Sequence, residues 1–288
     1  MTDQFHQKLA ALATSALLYE LSLTPKPGLV DRSNNGAHQD MDFPLFIKSS
    51  MSLLPFFEDY AKAGLNHTGS LQALFDQSRS IGIRAEQAMF RATKGVNTHK
   101  GANFSFALVL SATGYFLKHH SKTLPLLPAD SQAILQLIPA ICSSSLEEDF
   151  QHIDRQNLSY GEKLYLEHGL KGIRGEAASG YPTLQNLLLP ALRQSLVHNS
   201  ADEAFHKATL LLMANIEDGN LIHRGGIAAW QEVKRQTQEA LSQNLSAEQL
   251  RKWLSDYDCC LIQKNLSPGG TADFLALGYF FMQAEGLI

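Results

Sequence analysis

Directly before a long apolar run stands the segment Gly95-Val96-Asn97-Thr98-His99-Lys100-Gly101. A glycine-flanked loop that opens a helix offers free backbone N–H groups at the positive end of the helix dipole. Lys100 adds a full charge, so the loop suits an anion such as phosphate, with Asn97 and His99 beside it. A purely structural alternative is that Asn97 or Thr98 caps the helix. The spacing is not that of the GxxxxGKS/T phosphate loop, and no strand precedes it. Upstream, Thr24-Pro25-Lys26-Pro27-Gly28-Leu29-Val30-Asp31 holds Lys26 between two prolines, whose fixed φ gives the lysine a defined direction. His38, Asp40 and Asp42 follow. Asp40 and Asp42 suit Mg²⁺ bound through water and phosphate oxygens. Asp42 suits equally the N-cap of a helix beginning near Phe43.

Two carboxylates fall where a helix's apolar stripe calls for hydrocarbon. Glu20 continues the series Leu9, Leu12, Ala13, Ala16, Leu17, and Glu86 lies between Gly82 and Met89. Carboxylates are rarely buried without a partner. For Glu86 the structural alternative is an ion pair with an arginine such as Arg84 or Arg91. Further on, Gly172-Ile173-Arg174-Gly175-Glu176 precedes a turn, and Glu217-Asp218-Gly219-Asn220 stands just before Arg224-Gly225-Gly226. Arg174 and Arg224 are planar donors for phosphate or carboxylate in glycine-rich settings. Asp218 and Asn220 are the hard oxygen ligands magnesium takes, although turns are rich in both residues. Last comes Ser267-Pro268-Gly269-Gly270-Thr271-Ala272-Asp273, where the glycines end one helix, Thr271 caps the next and Asp273 sits in its first turn. Five loops that each join glycines to charged groups point to one shared site.

The elements that must position these loops are helices. Apolar residues recur at i, i+3, i+4 and i+7 over residues 4–22, and Ser70 can cap a helix with the stripe Leu71, Leu74, Phe75, Ser78, Ile81, Gly82, Ala85, Met89. The small residues Ser78, Gly82 and Ala85 would admit a second backbone closely. Further helices are expected at about 43–63, 102–119, 130–145, 160–169, 183–197, 201–216, 226–243, 246–264 and 271–285, with a capping box at Ser246 and Gln249. Alternating β-type runs are scarce. The fold class expected is all-α: a single compact multi-helix domain over residues 1–288, with glycine-rich functional loops between the helices. No repeat of fixed period and no long linker divides it. The loop over residues 24–42 is long for such a domain, and loops of that length are usually functional or disordered.

Composition excludes several classes. A 288-residue chain with 44% hydrophobic and 18% charged residues has an ordinary globular make-up, and a formal charge of −4 provides no general attraction for nucleic acid or an acidic membrane. Three cysteines, with Cys259 and Cys260 adjacent and no CxxC spacing, argue against a disulfide framework and a zinc site. No signal peptide is visible at the N-terminus. The apolar run over residues 102–117 is too short and too polar for a membrane span and suits a buried helix. The expectation is a cytoplasmic protein.

Taken in order, residues 24–31 with Gly36-Ala37-His38 and Asp40-Met41, residues 95–101, Arg174-Gly175-Glu176-Ala177, Asp218 with Asn220 and Arg224-Gly225-Gly226, and Ser267-Pro268-Gly269-Gly270 with Ala272-Asp273 resemble the triphosphoribosyl-dephospho-CoA synthase family across nearly the whole chain. Small departures are Gly219 where a hydroxyl residue is expected, Thr271 where serine is usual, and Asn103 at the start of an apolar helix. The resemblance implies an all-α transferase that moves the triphosphoribosyl group of ATP onto the 2′-hydroxyl of 3′-dephospho-CoA and releases adenine. The product is the prosthetic-group precursor of citrate lyase or of malonate decarboxylase. The anomeric centre inverts, which a single displacement accounts for.

Under that implication the residues take roles. Lys26, Lys100 and Arg224 clamp phosphates, with His38, Asn97, Arg174, Asn220, Ser267, Gly269 and Gly270 as further substrate contacts. Asp31, Asp40, Asp218 and Asp273 are the candidate ligands of Mg²⁺, the expected cofactor. Glu86 or Glu176 accepts the 2′-hydroxyl proton or stabilises an oxocarbenium-like transition state. His99 or His38 protonates the departing adenine. ATP and 3′-dephospho-CoA are the partners, with a downstream transferase of an acyl-carrier subunit beyond them. Two rival readings are a helical Mg²⁺-dependent nucleotide phosphohydrolase, which would yield ADP or phosphate, and a non-enzymatic helical interaction module, which would show stacked repeats.

Overall fold

A helix whose every face is apolar or small must be enclosed by others. That helix runs through the middle of the computed structural model, which describes residues 4–156, 158 and 160–288. It is α4 (Lys100–His119), and fourteen of its residues, from Ala102 to Leu117, are buried. Around it in chain order stand α1 (Phe5–Ser22), α2 (Phe43–Asn66), α3 (Leu71–Ala92) and α5 (Pro128–Gln151). They are followed by α6 (Tyr160–His168), α7 (Gly172–Ala178), α8 (Leu189–Leu196), α9 (Ala201–Asn215), α10 (Gly219–Ser242), α11 (Ala247–Gln263) and α12 (Gly269–Ala284). A short π-helical turn, Leu184–Leu188, leads into α8. Among the described residues there is no strand, and the all-α expectation is met. No described helix is long and apolar enough to cross a membrane, and the three cysteines are free.

Close approach between helices depends on glycine in α2 and α4. A Cβ at Gly64 would lie 2.0 Å from the Ser111 carbonyl oxygen, and one at Gly114 2.5 Å from that of Ala61. Ser111 Oγ bonds Ser78 Oγ of α3 at 2.8 Å in the same layer. The expectation of a small-residue contact on α3 was right for Ser78, but Gly64 and Gly114 are the tighter pair. The main core joins α1–α5, α8, α9 and α12, and includes Phe57, Phe106, Phe205, Phe280 and Phe281. Two smaller clusters attach α10 and α11 to α9, one around Met213, Val233 and Leu261, the other around Leu210, Ala240 and Leu254.

The caps of α2, α3 and α11 follow the sequence, whereas α12 opens at Gly269 after Pro268, so the two glycines begin that helix and Thr271 lies in its first turn instead of capping it. Asp42 accepts from Leu45 N at 2.8 Å and so caps α2. Ser70 caps α3, and the Ser246–Gln249 box caps α11. Two boundaries differ from expectation for a physical reason. Helix α10 begins at Gly219 rather than near residue 226, because Asp218 caps it with bonds to Asn220 N and Leu221 N. Gly226, at φ 76°, then breaks it into two arms, a conformation that side-chain-bearing residues rarely adopt. The expected loop over 169–182 likewise contains α7. Both short helical pieces carry glycines, which read as loop in isolation.

Candidate active site

The long loop between α1 and α2 is folded on itself by Asp31. Its carboxylate accepts from Lys26 N (3.0 Å), Ser33 N (2.7 Å), Ser33 Oγ (2.6 Å) and Asn34 N (3.2 Å). With its acceptor capacity spent on the loop, Asp31 serves as a local template. The loop is then tied to distant helices. Asp258 of α11 accepts from Gly28 N and Asn34 Nδ2, both at 2.8 Å. Arg224 donates to the carbonyl of Ala37 at 2.7 Å and to Asn265 Oδ1 at 2.9 Å. His38 bridges the remaining gap, with Nδ1 3.0 Å from Arg224 and Nε2 2.8 Å from Ser267 Oγ. Burial and the Arg224 charge lower the His38 pKa to about 4, so this ring is neutral at physiological pH. Asp40 is largely exposed and 3.8 Å from His38.

These ties place Lys26 deep inside. It is 1% exposed, and its ammonium is paired with Glu20 of α1. Burial raises the Glu20 pKa and the lysine opposes that rise. The two unusual positions of the sequence, an acid on an apolar stripe and a lysine between prolines, are thus partners of each other. Lys26 also acts on His99, which lies at the N-cap of α4 and is 4% exposed. Burial, then Lys26, lowers the His99 pKa to about 3.

On the other side of the start of α4 lies Asp273 of α12. A Cβ on Gly101 would stand 2.0 Å from its carboxylate oxygen, so only glycine leaves room for that acid. Burial, then Asp218 and Glu20, raises the Asp273 pKa well above the usual carboxylate range. Burial also raises Asp218, against four backbone N–H bonds that hold it down. Asp218 accepts from Thr271 N at 2.9 Å as well as capping α10. Gly269 and Gly270 let this junction close: a Cβ on Gly269 would meet Asn220 Nδ2 at 2.6 Å, and one on Gly270 the Asp218 carboxylate at 3.2 Å.

The structure therefore brings together Lys26, His99, Asp218, Asn220, Gly269, Gly270 and Asp273, with Glu20, and beside them His38, Arg224 and Ser267. Glu176 stands at the start of a separate wall. Thr183 N and Oγ1 bond it at 3.1 and 2.8 Å, and burial and Glu217 raise its pKa. Glu86 and Lys100 pair with each other at 2.8 Å, with side chains 31% and 53% exposed, in place of the Arg84 or Arg91 partner considered for Glu86. Asn97 Oδ1 accepts from Lys100 N at 3.2 Å, the capping geometry set against phosphate binding above. Arg174 is half exposed, 4.0 Å from Glu162. Asp31, Asp40, Asp218 and Asp273 do not form one ligand set. Among the described residues no three His, Cys, Asp or Glu side chains converge as metal ligands.

Sequence reasoning missed Ser49, Asp258 and Tyr181. Ser49 Oγ bonds His99 Nδ1 at 2.6 Å, and its signal was a serine on the buried stripe of α2 that continues through Leu53, Phe57 and Tyr60. Tyr181 is fully buried and has a left-handed backbone (φ 55°) directly after Gly180.

The Lys100–Glu86 pair supplies a direct test of the phosphate loop. An exposed pair contributes about 0–1 kcal/mol, so Lys100→Ala is expected to shift the melting temperature little. A phosphate contact would cost ATP affinity roughly 1.5–3 kcal/mol when removed. Calorimetric titration and thermal melting on the same samples separate the two, and unchanged affinity removes this loop from the site.

Glycine-edged helix starts, cations near the surface and a cluster of acids around the start of α4 are what this all-α chain gathers at one place. The chain matches the family model for ATP:dephospho-CoA triphosphoribosyl transferase over residues 6–287. It is 50% identical over 291 residues, 99% of each chain, to a probable 2-(5''-triphosphoribosyl)-3'-dephosphocoenzyme-A synthase of Streptococcus equi subsp. equi (strain 4047). Proteins of the same description from Streptococcus mutans and Streptococcus pyogenes serotype M5 are 48% and 44% identical, with 99% and 100% of this chain covered and the whole of each relative. No solved structure matches. The chain belongs to the ATP:dephospho-CoA triphosphoribosyl transferase family.

Proposed function

We propose that this transferase joins the 5-triphosphoribosyl group of ATP to the 2′-hydroxyl of 3′-dephospho-CoA by one displacement at the anomeric carbon, with adenine leaving. The observation that carries this reading is the excess of acid: Glu20 and Asp218 are buried and Asp273 lies half-buried beside them, with Lys26 as the enclosed lysine. Such a nest stabilises the positive charge that develops on the ribose as the glycosidic bond breaks.

Lys100 is assigned to the triphosphate and is well placed to give up Glu86 for it. Arg224, already tied to the loop, holds the His38–Ser267 edge of the site. Lys26, sealed against Glu20, tunes the charge of the nest. Glu176 is the better candidate for the base that takes the 2′-hydroxyl proton, because its raised pKa brings it nearer working pH while Glu86 is held by Lys100. Asp218, which accepts from Asn220 N, Leu221 N, Thr271 N and Thr271 Oγ1, is as fully engaged as Asp31. Mg²⁺ fits Asp273, a carboxylate of raised pKa, since magnesium ordinarily takes one or two carboxylates plus substrate phosphates. When bound, it would neutralise the triphosphate. Asp31 is fully engaged in its loop and does not fit that role. The product is consumed by a transferase that moves it onto an acyl-carrier subunit.

Incubation with ATP, Mg²⁺ and 3′-dephospho-CoA is expected to release adenine in step with consumption of both substrates. Chromatography that finds ADP or phosphate as the stoichiometric product would instead support the phosphohydrolase reading.

A further inference from the structure

Ser49 joins two groups that the reading above leaves apart. Its hydroxyl lies 2.6 Å from Thr98 Oγ1 and 2.6 Å from His99 Nδ1. Thr98 is partly exposed, whereas Ser49 and His99 are buried. The ring of Phe46 packs edge-on against the imidazole, 5.0 Å away at 83°, and the His99 backbone N–H bonds Met89 Sδ at 3.3 Å. Its other nitrogen, Nε2, is buried with no hydrogen-bond partner among the described residues. Buried polar atoms are nearly always paired, so an orphan one calls for an explanation.

A serine hydroxyl has one proton and two lone pairs. When Thr98 donates to Ser49 and Ser49 donates to Nδ1, the ring carries its proton on Nε2. We propose that Thr98, Ser49 and His99 form a proton relay that supplies the departing base from solvent without the ring ever becoming a cation. The proposal rests on the transfer reading given above. In the step, Nε2–H passes its proton to a ring nitrogen of the leaving adenine as the C1′–N bond breaks. Nδ1 takes the Ser49 proton, Ser49 takes that of Thr98, and Thr98 takes one from water. One proton enters from solvent, one arrives on adenine, and the imidazole has exchanged tautomers. When adenine leaves, water that takes its place returns a proton to Nε2 as Nδ1 gives its own back through Ser49 and Thr98, which restores the start.

The surroundings explain why a relay is used rather than an imidazolium. His99 is enclosed and faces the Lys26 charge, which together hold the ring neutral at working pH. A neutral imidazole that gave up its only proton would be left an anion. Reprotonation at Nδ1 in the same event avoids that. Nε2 has no partner among the described residues, so its proton is available to a group seated in the site, and Nδ1 is reprotonated as that proton leaves. Ser49 and Thr98 are positioning residues here, and His99 alone would touch the substrate.

Two substrates separate this role from a structural one. ATP needs its base protonated, whereas 4-nitrophenyl β-ribofuranoside 5-triphosphate releases a stable anion that needs no proton. With 3′-dephospho-CoA as acceptor, Ser49→Ala is expected to lower kcat for adenine release about 10²-fold, the lower end of what a positioned acid supplies. KM for ATP and the rate of 4-nitrophenolate release should stay near wild type. Thr98→Val should show the same selective loss to a smaller degree, and Thr98→Ser, which keeps the hydroxyl, should restore it. Nitrogen-15 spectra of the His99 ring should show a neutral imidazole protonated at Nε2, with the tautomer ratio altered in Ser49→Ala. Equal losses on both substrates, or no loss on ATP, would overturn the relay. Wild-type enzyme that forms ADP in place of adenine would overturn the transfer reading itself, a result visible before any variant is made.

Discussion

Replacing Asp273 by asparagine is expected to stabilise the fold while abolishing transfer. The carboxylate is buried beside Asp218 and Glu20, and its pKa is raised well above that of the unfolded chain. For a group raised in this way, the stabilising contribution is complete below the unfolded value near 3.8 and is lost as pH rises through the folded value. At neutral and alkaline pH the wild-type protein therefore carries a cost that an amide does not. Asparagine keeps an oxygen for the bond from Ala102 N–H and removes the ionisation. The melting temperature of Asp273→Asn should exceed that of wild type by a widening margin as pH rises, at about 2–4 °C for each kcal/mol relieved. Adenine release should fall by about 10²-fold or more, because a fixed charge aimed at the transition state is lost. A variant that melts lower than wild type at every pH would make Asp273 a structural acid.

Lys26→Met is expected to do the reverse for stability. Removing one partner of an enclosed ion pair leaves the other charge uncompensated, at a cost of about 3–5 kcal/mol. Glu20 would then hold a proton or force water inward. The double substitution Glu20→Leu with Lys26→Met removes both charges, and replacing a buried pair by hydrocarbon is often neutral or favourable. Denaturant melts should thus show a large loss for Lys26→Met and substantial recovery in the double variant. Transfer should stay low in both, since the pair sets the charge balance of the acid nest. Recovery of activity along with stability would show that Glu20 and Lys26 only hold the loop against α1.

The helices were legible because their apolar stripes repeat every 3.6 residues, and the caps at Asp42, Ser70 and Ser246 because a short polar side chain before such a stripe has one obvious use. The motif residues were legible as charged groups in glycine-rich turns. Their partners were not. Nothing local to Glu20 or Lys26 says that each is the other's counterion, because the pairing depends on the path of the proline-bounded turn between them. Asp31, read as a metal ligand, spends its oxygens on Ser33 and Asn34 a few residues away, a turn chemistry that the stretch of polar residues after Asp31 does suggest. Ser49 stood out only as a serine on a buried stripe; its partners lie some fifty residues on, and side-chain spacing within a helix cannot report on another helix. The early start of α10 was hidden by glycines at 219, 225 and 226, which argue for loop unless a cap as well placed as Asp218 outweighs them.

The loop after α1 is held by Arg224, Asp258 and Ser267, at sequence separations of about two hundred residues. Closing so long a span costs chain entropy before any of these bonds forms, and contacts of that range are made late in folding. On the ribosome, the amino-terminal helices emerge while α11 and α12 are still unmade. The core around α2, α3 and α4 can condense in that interval, but residues 24–42 then have only their own turn and Glu20 of α1 to hold them. The loop therefore gains its distant ties only once the chain through Ser267 is made. A chain cut short before Gly269 would lack Asp273 and the Thr271 N–H that holds Asp218, along with Phe280 and Phe281, which α12 gives to the core.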